Sequence, residues 1–467
     1  LAAAAGLFLA AVALRMPFRS QYAYHWDSAQ FALAMEHFDL RLGQPHAPGY
    51  FLYVVLGRLV NLLVGDPHAS LVWISVVAGA TLAALGFLLA SAMYGRACGV
   101  ATGVILATSP LCWFHSEIAL TTILDSALVT STMLAGWHAM RRGGRWLDVI
   151  LLAALLAWVA GNRPQTAVGL LPAWLFVFAH FTKRQAKLAV GISLTGLFCL
   201  LWLAPMVRTS GGWGEYLRLL AWKFEFDAPR SAWHGGALAS LGVIARSCWS
   251  GLLAAAVLAV LGWKRRVSGD GRLLAWWIVP MATLGVLTIT AMPGHVLSYF
   301  PALVIVTGRA CTRWLSAVVI ALVNIAVFLG HAPVGWPLTA HEIRSHDEQL
   351  AGVCATVRAR YRSEDVLLCH REEFFLWGIR HFQYHLPEYS NALLGRDLSL
   401  PAERAGKFRV CRGAHTEFVD DWKEAARGRT LLLVVLPGEP VTLFADRVDV
   451  TRAVAVPGTS GVFELPP

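Results

Sequence analysis

Three acidic residues stand where an apolar chain has no obvious need of them. Asp27 lies in "YHWDSAQFALAMEHF", directly after the first apolar stretch, and Glu117 and Asp125 lie in "HSEIALTTILDSAL". Ionisable groups at membrane depth are costly and usually face a cavity or a partner. Glu117, Thr121 and Asp125 are spaced four apart, which on one continuous helix stacks them on one face. Cationic and polar candidates accompany them: Arg163 in "GNRPQTA", Arg246 after a large polar loop, and His295 with Tyr299 in "PGHVLSYFPAL". His25 and His46 join them from the loop that holds Asp27. Singly, each is a common snorkelling residue of a membrane interface. Together they describe a polar pocket in which a carboxylate deprotonates a hydroxyl while Arg or His stabilises a departing phosphate.

Asp27 also has a purely structural reading. Asp27-Ser28-Ala29-Gln30 has the form of a capping box that opens a helix over Ser28 to Phe38. The two roles compete, because a carboxylate held by backbone N–H groups is a weaker base. A catalytic Asp27 must therefore turn at least one oxygen to the pocket. With both oxygens on the helix end, Glu117 becomes the better base.

The elements that position these groups follow from composition. The chain is 57% hydrophobic and 15% charged, with 19 Trp, which is membrane-like. Of its 68 charged residues, 34 fall after residue 340. An α-helical polytopic membrane region at 1–335, with a first outer loop at 19–68, and an exported soluble α/β domain at 336–467 are expected. Apolar segments at 1–18, 69–93, 97–113, 120–140, 146–161, 165–181, 187–207, 244–263, 273–291, 296–309 and 313–331 make eleven candidate transmembrane helices. Residues 50–65 are apolar but short and carry Arg58 and Asn61, which suits a helix lying along the surface. Thirteen Lys and Arg residues, from Arg96 to Arg313, occupy every second short loop, while the intervening loops hold only Arg163. By the positive-inside rule Asp27, the loops at 114–119 and 208–236 and the C-terminal domain share the non-cytoplasmic side. A bacterial inner membrane, with a periplasmic or extracellular site, fits that reading.

The remaining features are less specific. The chain starts Leu1-Ala-Ala-Ala-Ala inside an apolar run, which reads as a truncated N-terminus, with a cleaved signal peptide as the competing reading. Five of the eight Cys residues, Cys98 to Cys311, read as small packing residues, and Cys354, Cys369 and Cys411 leave room for one disulfide. The net charge of +10 is mainly topology: residues 340–467 carry 16 basic and 18 acidic residues, which excludes a basic nucleic-acid face. In the C-terminal domain "DVLLCH" and "TLLLVVLP" read as buried strands and "EFFLWGIRHFQYHL" as a helix, the last fifty residues look strand-rich, and His370, Glu372 and Glu373 read as solvated surface. The aromatic loop 208–236 is placed to cover the pocket or to form an interfacial belt.

The sequence resembles the C-type (GT-C) membrane glycosyltransferases, a superfamily that includes protein O-mannosyltransferases and the aminoarabinose and Rgt-type lipopolysaccharide transferases. The resemblance covers roughly residues 1–331. "HWDSAQFALAM" followed by "HAPGYFLYVVLGRL" looks like the family's first outer loop and "WFHSEIALTTILDSAL" like its second acidic segment. "GNRPQTAVGLLPAWL" and "GHVLSYFPAL" are similar to its later arginine-proline and proline-rich segments. The resemblance implies Asp27 as catalytic base, Glu117 as a second active-site acid, and Arg163 and His295 on the phosphate side. It implies a polyprenyl-phosphate sugar as donor, a lipid, glycan or protein hydroxyl as acceptor, and inversion at the anomeric carbon. His295 stands where relatives commonly carry Arg or Lys. No cofactor is implied. The first loop has no DxD pair to support a metal-bridged mechanism, although a divalent metal stays open. A lipid or glycan transporter or flippase is the competing class, and a noncatalytic assembly subunit a third.

Overall fold

The computed structural model describes all residues except 289, 331–334, 372–375, 396–405, 460 and 467. Helix α1 (Ala2–Arg15) leads into a long loop that holds α2 (Trp26–Glu36) and α3 (Phe51–Val64). The Asp66 carboxylate accepts the Ala69 N–H at 2.7 Å and Pro67 fills the first turn, so α4 (Pro67–Tyr94) starts sharply. Pro110 then splits an apolar run into α5 (Arg96–Thr108) and α6 (Pro110–Glu117), bent by 49°. Proline offers no N–H to the preceding turn and drives the residue before it out of the helix. Four helices follow, α7 (Thr121–Arg141), α8 (Trp146–Asn162), α9 (Pro164–Ala179) and α10 (Arg184–Thr209), and α11 (Trp213–Asp227) lies in the second long loop. The helical body closes with α12 (Ala237–Leu252), α13 (Ala254–Gly262), α14 (Arg272–Leu287), α15 (Phe300–Gly308) and α16 (Trp314–Leu329).

Among the described residues α4 and α10, of 28 and 26 residues, are long and apolar enough to cross a membrane; the bent pairs α5–α6 and α12–α13 raise the number to four if each is one span. The eleven expected spans therefore correspond to apolar segments rather than to eleven full-length helices. The expected run at 97–113 is interrupted at Ser109, the run at 244–263 at Leu253, and the run at 296–309 holds only nine α-helical residues. Helix α3 has 14 residues. At about 21 Å it is shorter than a hydrocarbon core of about 30 Å.

One expectation about the site fails at this level. Glu117 ends α6, Ile118 and Leu120 are extended, and Asp125 belongs to α7, so Glu117 and Asp125 share no helical face. Ile118 and Leu120 are both buried, and inserting these two side chains between the helices draws the backbone out.

The C-terminal part begins with α17 (Ala340–Arg360), whose cap Thr339 accepts the Glu342 N–H at 3.4 Å. After it come β1 (Val366–His370), α18 (Ile379–His385), β2 (Ser390–Leu393), β3 (Phe408–Arg412), β4 (His415–Val419), α19 (Lys423–Ala426), β5 (Thr430–Val434), β6 (Val454–Ala455) and β7 (Val462–Leu465). The sheet order is β4-β3-β2-β1-β5-β7-β6; β1 runs parallel to β2 and β5, and the outer pairs are antiparallel. The two apolar runs read as buried strands are β1 and β5, at the centre of the sheet. The expected helix shrinks to Ile379–His385, part of its quoted stretch lying outside the described residues. His370 corrects its surface assignment: it ends a central strand, is buried, and its Nε2 lies 3.1 Å from Asn391 Oδ1. Burial pushes its imidazole down to about 4. Glu372 and Glu373 lie outside the described residues. Cys354, Cys369 and Cys411 are buried, and no disulfide joins any two of them.

The sheet domain docks on the first outer loop through backbone groups. The Asp347 carboxylate accepts the Gln21 and Tyr22 N–H groups at 2.7 and 3.0 Å, and His385 Nε2 accepts the Ala23 N–H at 2.9 Å. The Tyr384 hydroxyl accepts the His68 N–H at 3.0 Å, Tyr22 lies against His385, and Tyr24 against His346. Burial holds His25 down at about 3 and His46 and His381 well below 6.5, and it lowers the half-buried His346 and His385 as well. In the unfolded chain these groups protonate near 6.5. Below that pH the unfolded state binds more protons, so stability falls as pH drops towards the folded values. Asp347, raised by burial to about 6 from 3.8, acts in the opposite sense between those values but is one group against five. Lowering the pH from 7 to 5 is expected to reduce thermal stability, at about 1 kcal/mol per pH unit for each fully buried imidazole. Melting curves of the protein in nanodiscs across that range check it; a flat profile contradicts it.

Candidate active site

The "GNRPQTA" turn shows how the sequence places a charge. Arg163 precedes a proline and is therefore extended, with φ −149° and ψ 96°, between the end of α8 and Pro164 in the first turn of α9. Its side chain is 8% exposed, and its Nε is buried without a hydrogen bond among the described residues. Asp125, on α7, ties this joint down: Oδ2 accepts from Thr166 Oγ1 at 2.8 Å and Oδ1 faces Asn162 Nδ2 at 3.5 Å. The Arg163 charge acts on Asp125 and reaches His46, Tyr50, His115 and His295.

Asp27 approaches the same place from the first outer loop. The capping box expected at Asp27 is not formed. The helix starts at Trp26, and the cap is His25, whose Nδ1 accepts the Asp27 N–H at 3.1 Å. Gln30, expected to reach back, instead accepts the His46 N–H at 3.3 Å and His46 Nδ1–H at 2.8 Å on one oxygen. An oxygen that takes the backbone N–H is an acceptor, so the proton of His46 sits on Nδ1. That Nδ1 is also 3.4 Å from Asp27 Oδ1, and the Tyr50 hydroxyl donates to Nε2 at 3.3 Å. His25 Nδ1 is 3.6 Å from Asp27 Oδ2, but as the acceptor of an amide proton it carries none, so this contact is no ion pair. Asp27 thus sits in the first turn of α2, where the helix dipole favours a negative charge, between two neutral imidazoles.

His295 begins the turn before α15, and its Nδ1 accepts the Ala291 N–H at 3.4 Å. Gly294 lets this turn approach α6: a Cβ there would stand 2.8 Å from His115 Nε2. Tyr299 is buried, with a hydroxyl that has no partner among the described residues. Helix α11 of the aromatic loop lies on the first outer loop, with the Tyr216 hydroxyl donating to Pro48 O at 3.3 Å. It brings Lys223, whose charge reaches His46 and His295.

Two candidates lie elsewhere. Arg246 is exposed and stacks on Trp336 at 4.5 Å. Glu117 is fully buried at the outer end of α1, facing Arg15 and Arg19, and neither of its oxygens has a hydrogen bond among the described residues. His115, Lys223 and Tyr50 were not proposed as site residues from sequence, and Gln30 was read only as part of a helix cap. His115, two positions before Glu117, and Lys223, alone among aromatics, were the visible signals. No group of His, Cys, Asp and Glu among the described residues is arranged to hold a metal ion.

Asp125 balances the buried Arg163 charge, so Asp125→Ala is expected to destabilise the protein by about 3–5 kcal/mol. Asp125→Asn, which keeps the polar contacts to Thr166 and Asn162, is expected to cost less. Thermal unfolding of both variants in nanodiscs checks the order.

No protein-family model matches the chain, and no curated protein matches its sequence. In three dimensions it is similar to ArnT from Cupriavidus metallidurans bound to undecaprenyl phosphate, with a TM-score of 0.67 at 11% identity over 99% of this chain and 97% of that one. The apo form of the same protein matches with a TM-score of 0.61 at 12% identity, over 98% and 97%. The apo oligosaccharyltransferase of Archaeoglobus fulgidus is more distant, with a TM-score of 0.47 at 11% identity over 77% and 58%. From end to end, helical body and sheet domain together, the chain has the fold of ArnT.

Proposed function

We propose that the protein is an integral-membrane glycosyltransferase that moves a sugar from a polyprenyl-phosphate donor to a hydroxyl acceptor at the non-cytoplasmic face, with inversion. The observation that carries this reading is Arg163, buried with an Nε that has no hydrogen bond among the described residues, whose charge reaches His46, the neighbour of Asp27. A desolvated guanidinium with an uncommitted N–H suits an anion such as a phosphate. The undecaprenyl phosphate in a neighbour of the same fold supports a polyprenyl-phosphate carrier.

In this reading the acceptor hydroxyl gives its proton to an Asp27 oxygen while its own oxygen attacks the anomeric carbon. The bond from that carbon to the phosphate oxygen breaks on the opposite side, and polyprenyl phosphate leaves with the electron pair. Arg163, with Lys223 above it, stabilises the charge that develops there. The acceptor hydroxyl belongs to a lipid, a glycan or a protein. His46 Nδ1–H steadies the ionised Asp27, and Glu117 serves the scaffold.

Purified protein in nanodiscs, assayed over a panel of polyprenyl-phosphate sugars, tests the proposal. Asp27→Asn is expected to lower transfer by about 10²–10⁴-fold while still binding donor. Arg163→Gln is expected to weaken donor binding. Full transfer by Asp27→Asn would sink the base assignment, and movement of the lipid across the bilayer without transfer would favour a transporter.

A further inference from the structure

We propose that the C-terminal domain is a positioning element of the active site, with Arg380 and Arg409 as the residues that set His46 against Asp27. This rests on Asp27 being the base, as proposed above.

Both arginines are fully buried, and they converge on one atom. Arg380, on α18, donates from Nη2 to the Leu42 carbonyl at 2.7 Å, and Arg409, on β3, donates from Nη1 to the same carbonyl at 3.1 Å. Leu42 is the tip of a tight hairpin. Asp39 and Gln44 exchange N–H to carbonyl bonds at 2.8 and 3.0 Å, and Gly43 turns the chain at φ 66°. Gln44 adds a third tie, its Nε2 donating to Ala414 O at 3.3 Å. Two residues beyond Gln44 comes His46, whose Nδ1–H faces Asp27.

The gripping side chains are themselves held. Arg380 Nη1 donates to Gln383 Oε1 at 3.1 Å, and Gln383 Nε2 donates to Gly413 O at 2.7 Å and Thr416 Oγ1 at 3.1 Å. Arg409 lies over the Phe418 ring at 5.0 Å. On the other side of α2, Asp347 and His385 hold the N–H groups of Gln21, Tyr22 and Ala23, a few residues before Asp27. The helix that carries the acid is therefore gripped at both ends of its loop by one domain.

Stability alone is a poor account of such a grip. Buried charges are expensive to desolvate, and apolar groups of similar volume often serve stability as well or better. What two guanidiniums on one carbonyl provide is direction: they fix the height and rotation of the hairpin tip. Arg380 also places a positive charge within reach of His46, which favours the neutral imidazole whose single Nδ1 proton goes to Gln30, with Asp27 Oδ1 3.4 Å from the same nitrogen.

The test uses the full chain in nanodiscs with Arg380→Gln, Arg409→Gln and Arg409→Lys. Hydrogen exchange of the amides of residues 39–46 reads the grip without any assay of transfer. In the Gln variants these amides are expected to exchange about tenfold faster or more. Turnover is expected to fall at least about tenfold with donor KM nearly unchanged, because a loop displaced by about 1 Å misplaces the base. The acid limb of the kcat–pH profile should move to higher pH, since Asp27 loses the His46 donor that favours its ionised form. Arg409→Lys, which keeps one donor for the Leu42 carbonyl, should recover part of each effect. Unchanged exchange would overturn the grip, and faster exchange with kcat and the acid limb unchanged would overturn its positioning role. Wild-type transfer by Asp27→Asn would instead overturn the base assignment, leaving the exchange measurement to decide the grip.

Discussion

A guanidinium in an apolar body must be balanced, or it must face something anionic, and the polar groups of this protein are arranged around one such charge. Arg163 is fixed at the joint of α8 and α9 by its proline neighbour, and Asp125 anchors the joint from α7. The nearby imidazoles add no further charge: burial keeps His46 neutral, and its Nδ1 proton is already committed to Gln30. Lys223 adds a second cation from α11. Asp227 pairs with Lys223 and Asp125 faces the joint, and the desolvation that makes Arg163 costly strengthens its attraction for an anion.

The first outer loop solves a different problem, that of holding an acid still at the edge of such a cluster. Its devices are short-range. His25 caps α2, Gln30 holds His46, and His46 in turn faces Asp27. Each bond fixes the rotamer of the next residue, so the loop behaves as a chain of constraints rather than as a free segment. The turn at Pro48 and Gly49 locks the far end: a Cβ at Gly49 would stand 2.5 Å from Met206 Sδ, so only glycine lets α10 approach so closely.

Much of the architecture could be read from local chemistry. The central strands β1 and β5 were visible as short apolar runs, and the apolar runs at 69–93 and 165–181 fall on α4 and α9. Spacing misled where the chain leaves helical geometry. Glu117 and Asp125 sit eight apart in sequence, two steps of four through Thr121, but the extended Ile118–Leu120 link separates them, and nothing in the residue types marks that link. The cap also moved. Asp27 and Gln30 have the right types for a capping box, yet His25 takes the cap and Gln30 is drawn to His46, a partner sixteen positions away. Arg380, Arg409 and His370 were illegible for the same reason. Each is buried by contacts between elements distant in sequence, which composition and periodicity do not encode.

The two remaining acids differ in what taking up a proton would cost. Glu117 lies with Arg15 in the apolar body, both fully buried. Any change in the charge of Glu117 is felt directly by the Arg15 guanidinium. Asp27 lies against His25 and His46, which carry no charge at neutral pH. Its protonation strands no cation among these two neighbours, and His46 can keep its Nδ1 proton on Gln30 while Asp27 changes state. A base must gain a proton and lose it again in every cycle. In the mechanism proposed above Asp27 is the group placed for that exchange, and Glu117, opposite Arg15, belongs to the frame that joins α1 to α6.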